Sequence, residues 1–272
     1  MSTVSVGQDH VFATVGDTVL ALDLYRAPQV DAPLVVYVHG GGWRGGDKAD
    51  GGGARLRPMA AHGVTVASVN YRLVPGATFP DQLHDLKGAV RWLRAHGTSL
   101  GVPTGRVGTW GASAGAYLGS LLALTGADAA LEGTVGGNVE QSSTVRAVVH
   151  WFGQCDLVVA GSSNDVEARL LSFRFEADLL GVRDVGEVAD HAADFSLLAR
   201  VTPQAPPFLI AHGDRDHIVA PSAGAALHDA LSRAGADTRF MLLGGAGHEG
   251  AEFDRPDTLA MTAAWLRAKL LT

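Results

Sequence analysis

Gly111-Ala112-Ser113-Ala114-Gly115 sets a serine between glycines two positions away on each side. The five residues follow a short apolar run, Val107–Trp110, and lead into a stretch of helix formers. A serine at a sharp strand-to-helix turn needs small neighbours, because strand and helix backbones pass close by. The helix that follows also favours negative charge developing beside the hydroxyl. Ser113 is therefore a candidate nucleophile for acyl transfer. Without that context the same residues would be a glycine-rich turn with an incidental serine.

A serine nucleophile needs a base within hydrogen-bond reach and a group that fixes the tautomer of the base. Eleven histidines are present. His62, His84, His96 and His228 sit in helix or helix-end contexts and need no function. His248 differs, because it lies in Gly244-Gly245-Ala246-Gly247-His248-Glu249-Gly250, a glycine-rich loop between the last apolar run and the last helical stretch. For the orienting acid, Asp214 and Asp216 compete within His212-Gly213-Asp214-Arg215-Asp216-His217-Ile218-Val219. His217, beside Asp216, is the main rival base.

Acyl transfer passes through a tetrahedral oxyanion, which requires preorganised N–H donors. His39-Gly40-Gly41-Gly42-Trp43 follows an apolar run directly. Glycines let backbone amides turn toward such an oxygen with no side chain in the way. The expected donors are the amides of Gly41, Gly42 and Ala114, with His39 as an anchor for the loop. Trp43 and Tyr117 are candidate substrate-binding aromatics. Trp151 and Phe152 are further candidates for lining the pocket, with core packing the preferred role for that pair.

The elements that must position these residues are legible as β-branched runs separated by helical stretches. Strands are expected at Val11–Val15, Val19–Tyr25, Leu34–His39, Val64–Asn70, Val107–Trp110, Val145–Phe152, Phe208–Ala211 and Arg239–Leu243. Several are almost wholly apolar, as strands buried on both faces should be. The first two alternate and lie close together, which suits an antiparallel hairpin. Helices are expected at Pro80–Ala95, Ala114–Leu124, Ser222–Ala234 and Thr258–Leu270. This rhythm predicts an α/β fold: one domain with an eight-stranded, mostly parallel sheet flanked by helices. Its candidate residues all fall at C-terminal strand ends, where loops converge on one edge. Residues 43–58 read as an exposed loop. Residues 154–206, with Leu170, Leu171, Phe173, Phe175, Leu179 and Leu180, read as a helical cap insertion.

Composition narrows the partners. Lys and Arg total 21 against 28 Asp and Glu, a net charge of -7, which disfavours nucleic acid and anionic membranes. No run approaches the roughly 18 apolar residues of a membrane span, and the first residues do not look like a signal peptide. Cys155 is the only cysteine, so no intrachain disulfide can form. The expectation is a cytoplasmic protein with a small-molecule substrate, no membrane or nucleic-acid partner, and homo-oligomerisation left open. No metal-ligand motif and no nucleotide fingerprint is present, so no cofactor is expected.

Taken together, these motifs resemble the α/β-hydrolase superfamily. More narrowly they resemble the HGGG-type carboxylesterases related to hormone-sensitive lipase and the bacterial feruloyl and acetyl esterases. The resemblance rests on HGGGWRGGDK (39–48), VNYRL (69–73), FPDQLHDLKGAVRWL (79–93) and GTWGASAGAYLGSL (108–121). In that fold G-x-x-D-x-x-V is common, which favours Asp216 over Asp214, and the chain order Ser113, Asp216, His248 is the expected one. The resemblance implies a serine hydrolase of small to medium acyl or aryl esters, with Asp85 and Arg72 structural. Two departures, Ala112 before the serine and Ala116 after the elbow, put transferred substrate specificity in doubt. An aryl formamidase or amidase, and a non-catalytic binding protein on a hydrolase scaffold, are the alternatives.

Overall fold

The computed structural model describes residues 3–157, 175–182 and 195–271. Eight strands form one sheet: β1 (Ser5–Val15), β2 (Thr18–Arg26), β3 (Leu34–Val38), β4 (Thr65–Val69), β5 (Val107–Ala112), β6 (Val148–Trp151), β7 (Phe208–Gly213) and β8 (Thr238–Leu243). The order across the sheet is β1-β2-β4-β3-β5-β6-β7-β8. The first two strands pair antiparallel with each other, β2 pairs antiparallel with β4, and every other pairing is parallel. The expected hairpin and the expected mostly parallel sheet are both present.

The described α-helices are α1 (Arg57–Ala61), α2 (Asp81–Leu100), α3 (Ala114–Leu124), α4 (Phe175–Leu180), α5 (Pro221–Arg233) and α6 (Pro256–Leu270), with a π-helical turn at Gly52–Leu56. Strand residues alternate between two cores, as a period of two demands. Leu34, Val36 and Val38 face a core shared with Leu83 and Leu86 of α2, Leu121 of α3 and Leu227 of α5. Val35 and Tyr37 face a second core with Met59 of α1 and Leu259 and Trp265 of α6.

Several boundaries differ from expectation. Strand β1 begins at Ser5 rather than Val11, because Ser5, Val6 and Gly7 pair with Arg26, Tyr25 and Leu24. Strand β6 is shorter than Val145–Phe152, since its partner strand is preceded by Pro206 and Pro207, and proline has no N–H for a ladder. Helix α2 runs five residues past Ala95 and stops where Gly101 takes a left-handed φ of 65°. Such a conformation is the common glycine end of a helix.

Residues 43–58 are not an exposed loop throughout. Trp43, Lys48, Arg55 and Leu56 are buried. Lys48 Nζ reaches Asp9 at 2.8 Å and Asp23 at 2.9 Å, and Arg55 reaches Asp254 at 2.7 Å. Charged residues read from sequence as solvated are buried here because each has a partner supplied by a distant segment.

Of the expected cap, residues 158–174 and 183–194 lie outside the described residues, and with them Leu170, Leu171 and Phe173. The described piece, α4, packs back on the glycine-rich loop after β3. A Cβ added at Gly42 would lie 2.4 Å from Phe175 Cε1, Arg44 pairs with Asp178, and the Phe79 amide donates to Leu179 O at 2.7 Å.

Parallel register is what aligns the site. Ala112, Trp151 and Ala211 stand level across β5, β6 and β7. The next residues are locked together: the Ser113 amide donates to Trp151 O at 2.9 Å and the Phe152 amide to Ala211 O at 2.8 Å.

Candidate active site

Ser113 occupies the turn between β5 and α3 with φ 52° and ψ −121°. A non-glycine residue held there costs on the order of 1–3 kcal/mol and persists only when its surroundings over-determine it. Those surroundings are close. A Cβ on Gly111 would fall 2.2 Å from Gly115 O, and one on Gly115 would fall 2.1 Å from Val38 O. Both flanking glycines are thus required by backbone contact. Gly115→Ala should exceed the roughly 1–3 kcal/mol of ordinary overpacking, since the clash is with backbone that cannot rotate away. A urea titration against wild type measures this; an unchanged midpoint would contradict the packing argument.

His248 bridges to Ser113 from the loop after β8. Its Nε2 lies 2.9 Å from Ser113 Oγ, and its Nδ1 lies 2.8 Å from Asp216 Oδ2. With a carboxylate at Nδ1, the proton belongs there, leaving Nε2 as the acceptor for the serine hydroxyl. Phe152 packs its ring edge-on against His248 with centroids 5.1 Å apart. Ser113 remains partly accessible, and the His248 side chain is 12% exposed.

Asp216 is buried and fully engaged. Its Oδ1 accepts from the amides of Ile218 and Val219, both at 2.9 Å. Its Oδ2 faces His212 Nε2 at 3.2 Å as well as His248. Burial pushes this carboxyl upward, but the hydrogen bonds from His212 and His248, the His248 charge and the Val219 amide outweigh it. The net effect holds Asp216 well below the ordinary carboxylate range. Its contribution to stability is therefore full above about pH 4, the unfolded-chain value, and is lost as acid approaches the depressed folded value. In urea melts between pH 7 and pH 3, the stability gap between wild type and Asp216→Asn should stay constant at first and begin to narrow below about pH 4. A gap still unchanged at about pH 3 would mean that Asp216 is not held in its charged form.

The competing residues are placed elsewhere. Asp214 is exposed and accepts from the Gly245 amide at 2.7 Å, tying two loops together. His217 is exposed. His96 and His228 are engaged by Trp92 O and Thr238 Oγ1 respectively. His39 is buried, with Nδ1 donating to Gly40 O at 2.8 Å and its ring stacked on Tyr71. That is an anchor for the loop.

The glycine loop passes beside the serine. A Cβ on Gly40 would lie 3.3 Å from Ser113 Cβ, and Gly41 and Gly42 have φ of 106° and 59°. Among the described residues the amides of Gly41, Gly42 and Ala114 have no internal acceptor. Ala114 is also the first residue of α3, where the helix dipole is positive.

Trp43 and Tyr117, expected at the substrate, are instead buried against each other edge-to-face at 5.7 Å. The Tyr117 hydroxyl donates to Phe195 O at 2.8 Å. Both rings are buried as placed, and Trp43 has a positive φ of 59°. Trp151 and Phe152 are buried too. Arg72 holds Asp85 through both carboxylate oxygens, at 2.8 Å for Nη2 to Oδ1 and 2.9 Å for Nε to Oδ2, a link between the segment after β4 and α2.

Two contributors went unread in the sequence. His212, four residues before Asp216, also donates to Val219 O at 2.9 Å and so braces the acid from behind. Arg55 sits in the second core, its guanidinium on Asp254, on the Tyr37 hydroxyl at 2.8 Å and 3.6 Å from Glu249, the neighbour of His248. The His-Gly-x-x-Asp spacing was a usable signal for His212. Arg55 offered none, since Asp254 is 199 residues away.

Among the described residues no group of three or more His, Cys, Asp or Glu is arranged to hold a metal ion. No described helix is long and apolar enough to cross a membrane.

A family model described as BD-FAE matches residues 22–231. The chain belongs to the BD-FAE family. Within this α/β-hydrolase esterase family, the relatives agree with the fold. Esterase LipC of Mycobacterium tuberculosis is 31% identical over 238 residues, covering 85% of this chain and 57% of LipC. The BD-FAE chain spans about half the length of the curated relatives it matches. A truncated carbohydrate esterase from gut microbiota superposes with a TM-score of 0.89 at 24% identity, over 100% of this chain and 98% of that one. Propionate-bound esterase Est2 of Thermogutta terrifontis superposes at 0.76 with 23% identity, over 97% and 94%. At those identities the two structures speak for the fold alone.

Proposed function

We propose that this BD-FAE member is a serine carboxylic-ester hydrolase with Ser113 as nucleophile, His248 as base and Asp216 as the group orienting His248. What supports the reading is an unbroken relay: Asp216 Oδ2 to His248 Nδ1 at 2.8 Å, then His248 Nε2 to Ser113 Oγ at 2.9 Å. The names of the matched relatives, among them Esterase LipC, point the same way.

In the proposed cycle Ser113 Oγ bonds to the ester carbonyl carbon while its proton passes to His248 Nε2. The carbonyl π electrons move onto oxygen, which the amides of Gly41, Gly42 and Ala114 stabilise. The carbon–alkoxy bond then breaks, and the leaving alkoxide takes the proton from Nε2. Water, deprotonated by the same nitrogen, attacks the acyl-enzyme and restores Ser113 with release of the acid. None of these steps calls for a cofactor. The described helix α4 rests on the Gly42 loop, which supports a cap role for the insertion it belongs to. The lone Cys155 is buried, its thiol pushed up to about 12 by burial, then by Asp156, and an unreactive single thiol suits a cytoplasmic enzyme.

Hydrolysis of p-nitrophenyl acetate, butyrate and octanoate, alongside an aryl formamide, tests the reading. Ester turnover with a short to medium optimum is expected. A clear preference for the formamide would make the protein an amidase, and no turnover with no fluorophosphonate labelling would make it a binding scaffold.

A further inference from the structure

Arg55 is a charged group in an apolar place that the ester-cleaving cycle leaves unused. It is 5% exposed, and its guanidinium carbon lies 5.4 Å from the centre of the Trp151 ring. A charge withdrawn from water this far must be paired and hydrogen-bonded, and the partners come from β3 and from the chain just after His248. Nε and Nη2 donate to the two oxygens of Asp254 at 2.7 and 3.2 Å. Nη1 donates to the Tyr37 hydroxyl at 2.8 Å and lies 3.6 Å from Glu249 Oε1. Arg55 itself is carried by the π-helical turn Gly52–Leu56. Such turns are rare and often mark functional sites.

Glu249 and Asp254 bracket the chain that leaves His248. The Gly250 amide donates to Gly247 O at 3.3 Å, so His248 and Glu249 are the central residues of a hydrogen-bonded turn. Glu249 has φ 55°, a conformation that a turn ordinarily assigns to glycine or asparagine at this position. A glutamate there is strained, and such strain persists only where the surroundings over-determine it. Arg55 supplies that constraint. It faces the Glu249 carboxylate and grips Asp254, the last residue of the short helical turn Ala251–Asp254. One guanidinium thereby fixes the segment 249–254 at both ends. His248, which must hold 2.9 Å to Ser113 Oγ and 2.8 Å to Asp216 Oδ2 at once, stands immediately before that segment.

We propose that Arg55 is a positioning residue for the base: its clamp on Glu249 and Asp254 holds the His248 turn where the imidazole reaches Ser113 and Asp216 together. The proposal rests on the ester-hydrolase reading and adds to it a residue outside the triad. Because Arg55 acts through the His248 turn, its effect falls on the chemical steps and not on substrate binding.

Arg55→Met keeps an unbranched side chain and removes the charge and the donors. Its kcat on p-nitrophenyl acetate should fall about 10²-fold, the scale of a displacement of about 1 Å at the reacting groups, while KM stays within about threefold. In wild type the Nδ1–H of His248, bonded to Asp216, should give a low-field proton resonance that is lost in His248→Gln. Arg55→Met should shift or broaden it, a change that lowered stability alone does not produce. Glu249→Ala, at a half-exposed position, should lower kcat about tenfold with an unchanged urea midpoint, and should add little in the Arg55→Met background, where the clamp is already gone. Wild-type kcat with an unshifted His248 resonance in Arg55→Met overturns the proposal, as does a loss carried by KM or a fully additive loss in the double variant. If Arg55→Met does not fold, kcat and the resonance in Glu249→Ala decide. Failure of wild type to cleave the ester counts against the hydrolase reading itself, and the His248 resonance then still tests the clamp without turnover.

Discussion

Ser113→Ala should lower the turnover of p-nitrophenyl acetate about 10⁶-fold, the scale of losing a nucleophile that acts as one unit with its base. The substitution removes a single oxygen whose hydrogen bond goes to His248 Nε2 at 2.9 Å. The amides of Gly41, Gly42 and Ala114 stay where they are, so a residual rate of about 10³–10⁴ over water is expected from them and from binding. The turn should survive, because φ 52° is imposed by Gly111 and Gly115 packing and alanine has the same Cβ. Unchanged urea unfolding together with lost turnover and lost fluorophosphonate labelling is the expected result. Turnover within tenfold of wild type would remove Ser113 from the mechanism.

Asp216→Asn is expected to cost about 10⁴ in kcat at neutral pH, for a reason specific to this site. The amides of Ile218 and Val219 both donate to Oδ1, so an asparagine must keep its carbonyl oxygen there. Its NH₂ group then faces His248 Nδ1, and that nitrogen must become an acceptor. The imidazole proton moves to Nε2, which can no longer take the proton of Ser113. His212 Nε2 meets the same NH₂ group, since it now lies between Val219 O and Asp216 Oδ2, 2.9 and 3.2 Å away, and donates to both. Measuring kcat against pH separates the two consequences, because a tautomer defect recovers as hydroxide replaces the lost base, whereas a collapsed site does not. A loss below tenfold would show that His248 does not depend on Asp216 for its orientation.

Local sequence determined a good deal by itself. Strand and helix types, the hairpin at the start and the parallel sheet follow from periodicity, because apolar spacing dictates which face is buried whatever lies opposite. Glycines at 111 and 115, and at 41 and 42, announced close backbone approach and positive φ, which no other residue supplies cheaply. The residues at positions 113, 216 and 248 were legible because each sits in a loop beginning at a C-terminal strand end, and parallel strands deliver such loops to one edge.

What only the tertiary structure decided depends on contacts between segments far apart in the chain. Whether Asp214 or Asp216 faces His248 turns on one residue of loop path, set when Asp214 was taken by Gly245 and Asp216 by Ile218 and Val219. Trp43 and Tyr117 looked like pocket aromatics, yet they pack on each other in the core, because a ring's exposure is a property of its neighbours. Arg55 and Lys48 looked solvated, but their partners Asp254, Asp9 and Asp23 arrive from elsewhere in the chain. Asp254 carried no motif at all. Pairing at a distance of 199 residues has no local periodicity to betray it, and only the fold brings Asp254 to Arg55.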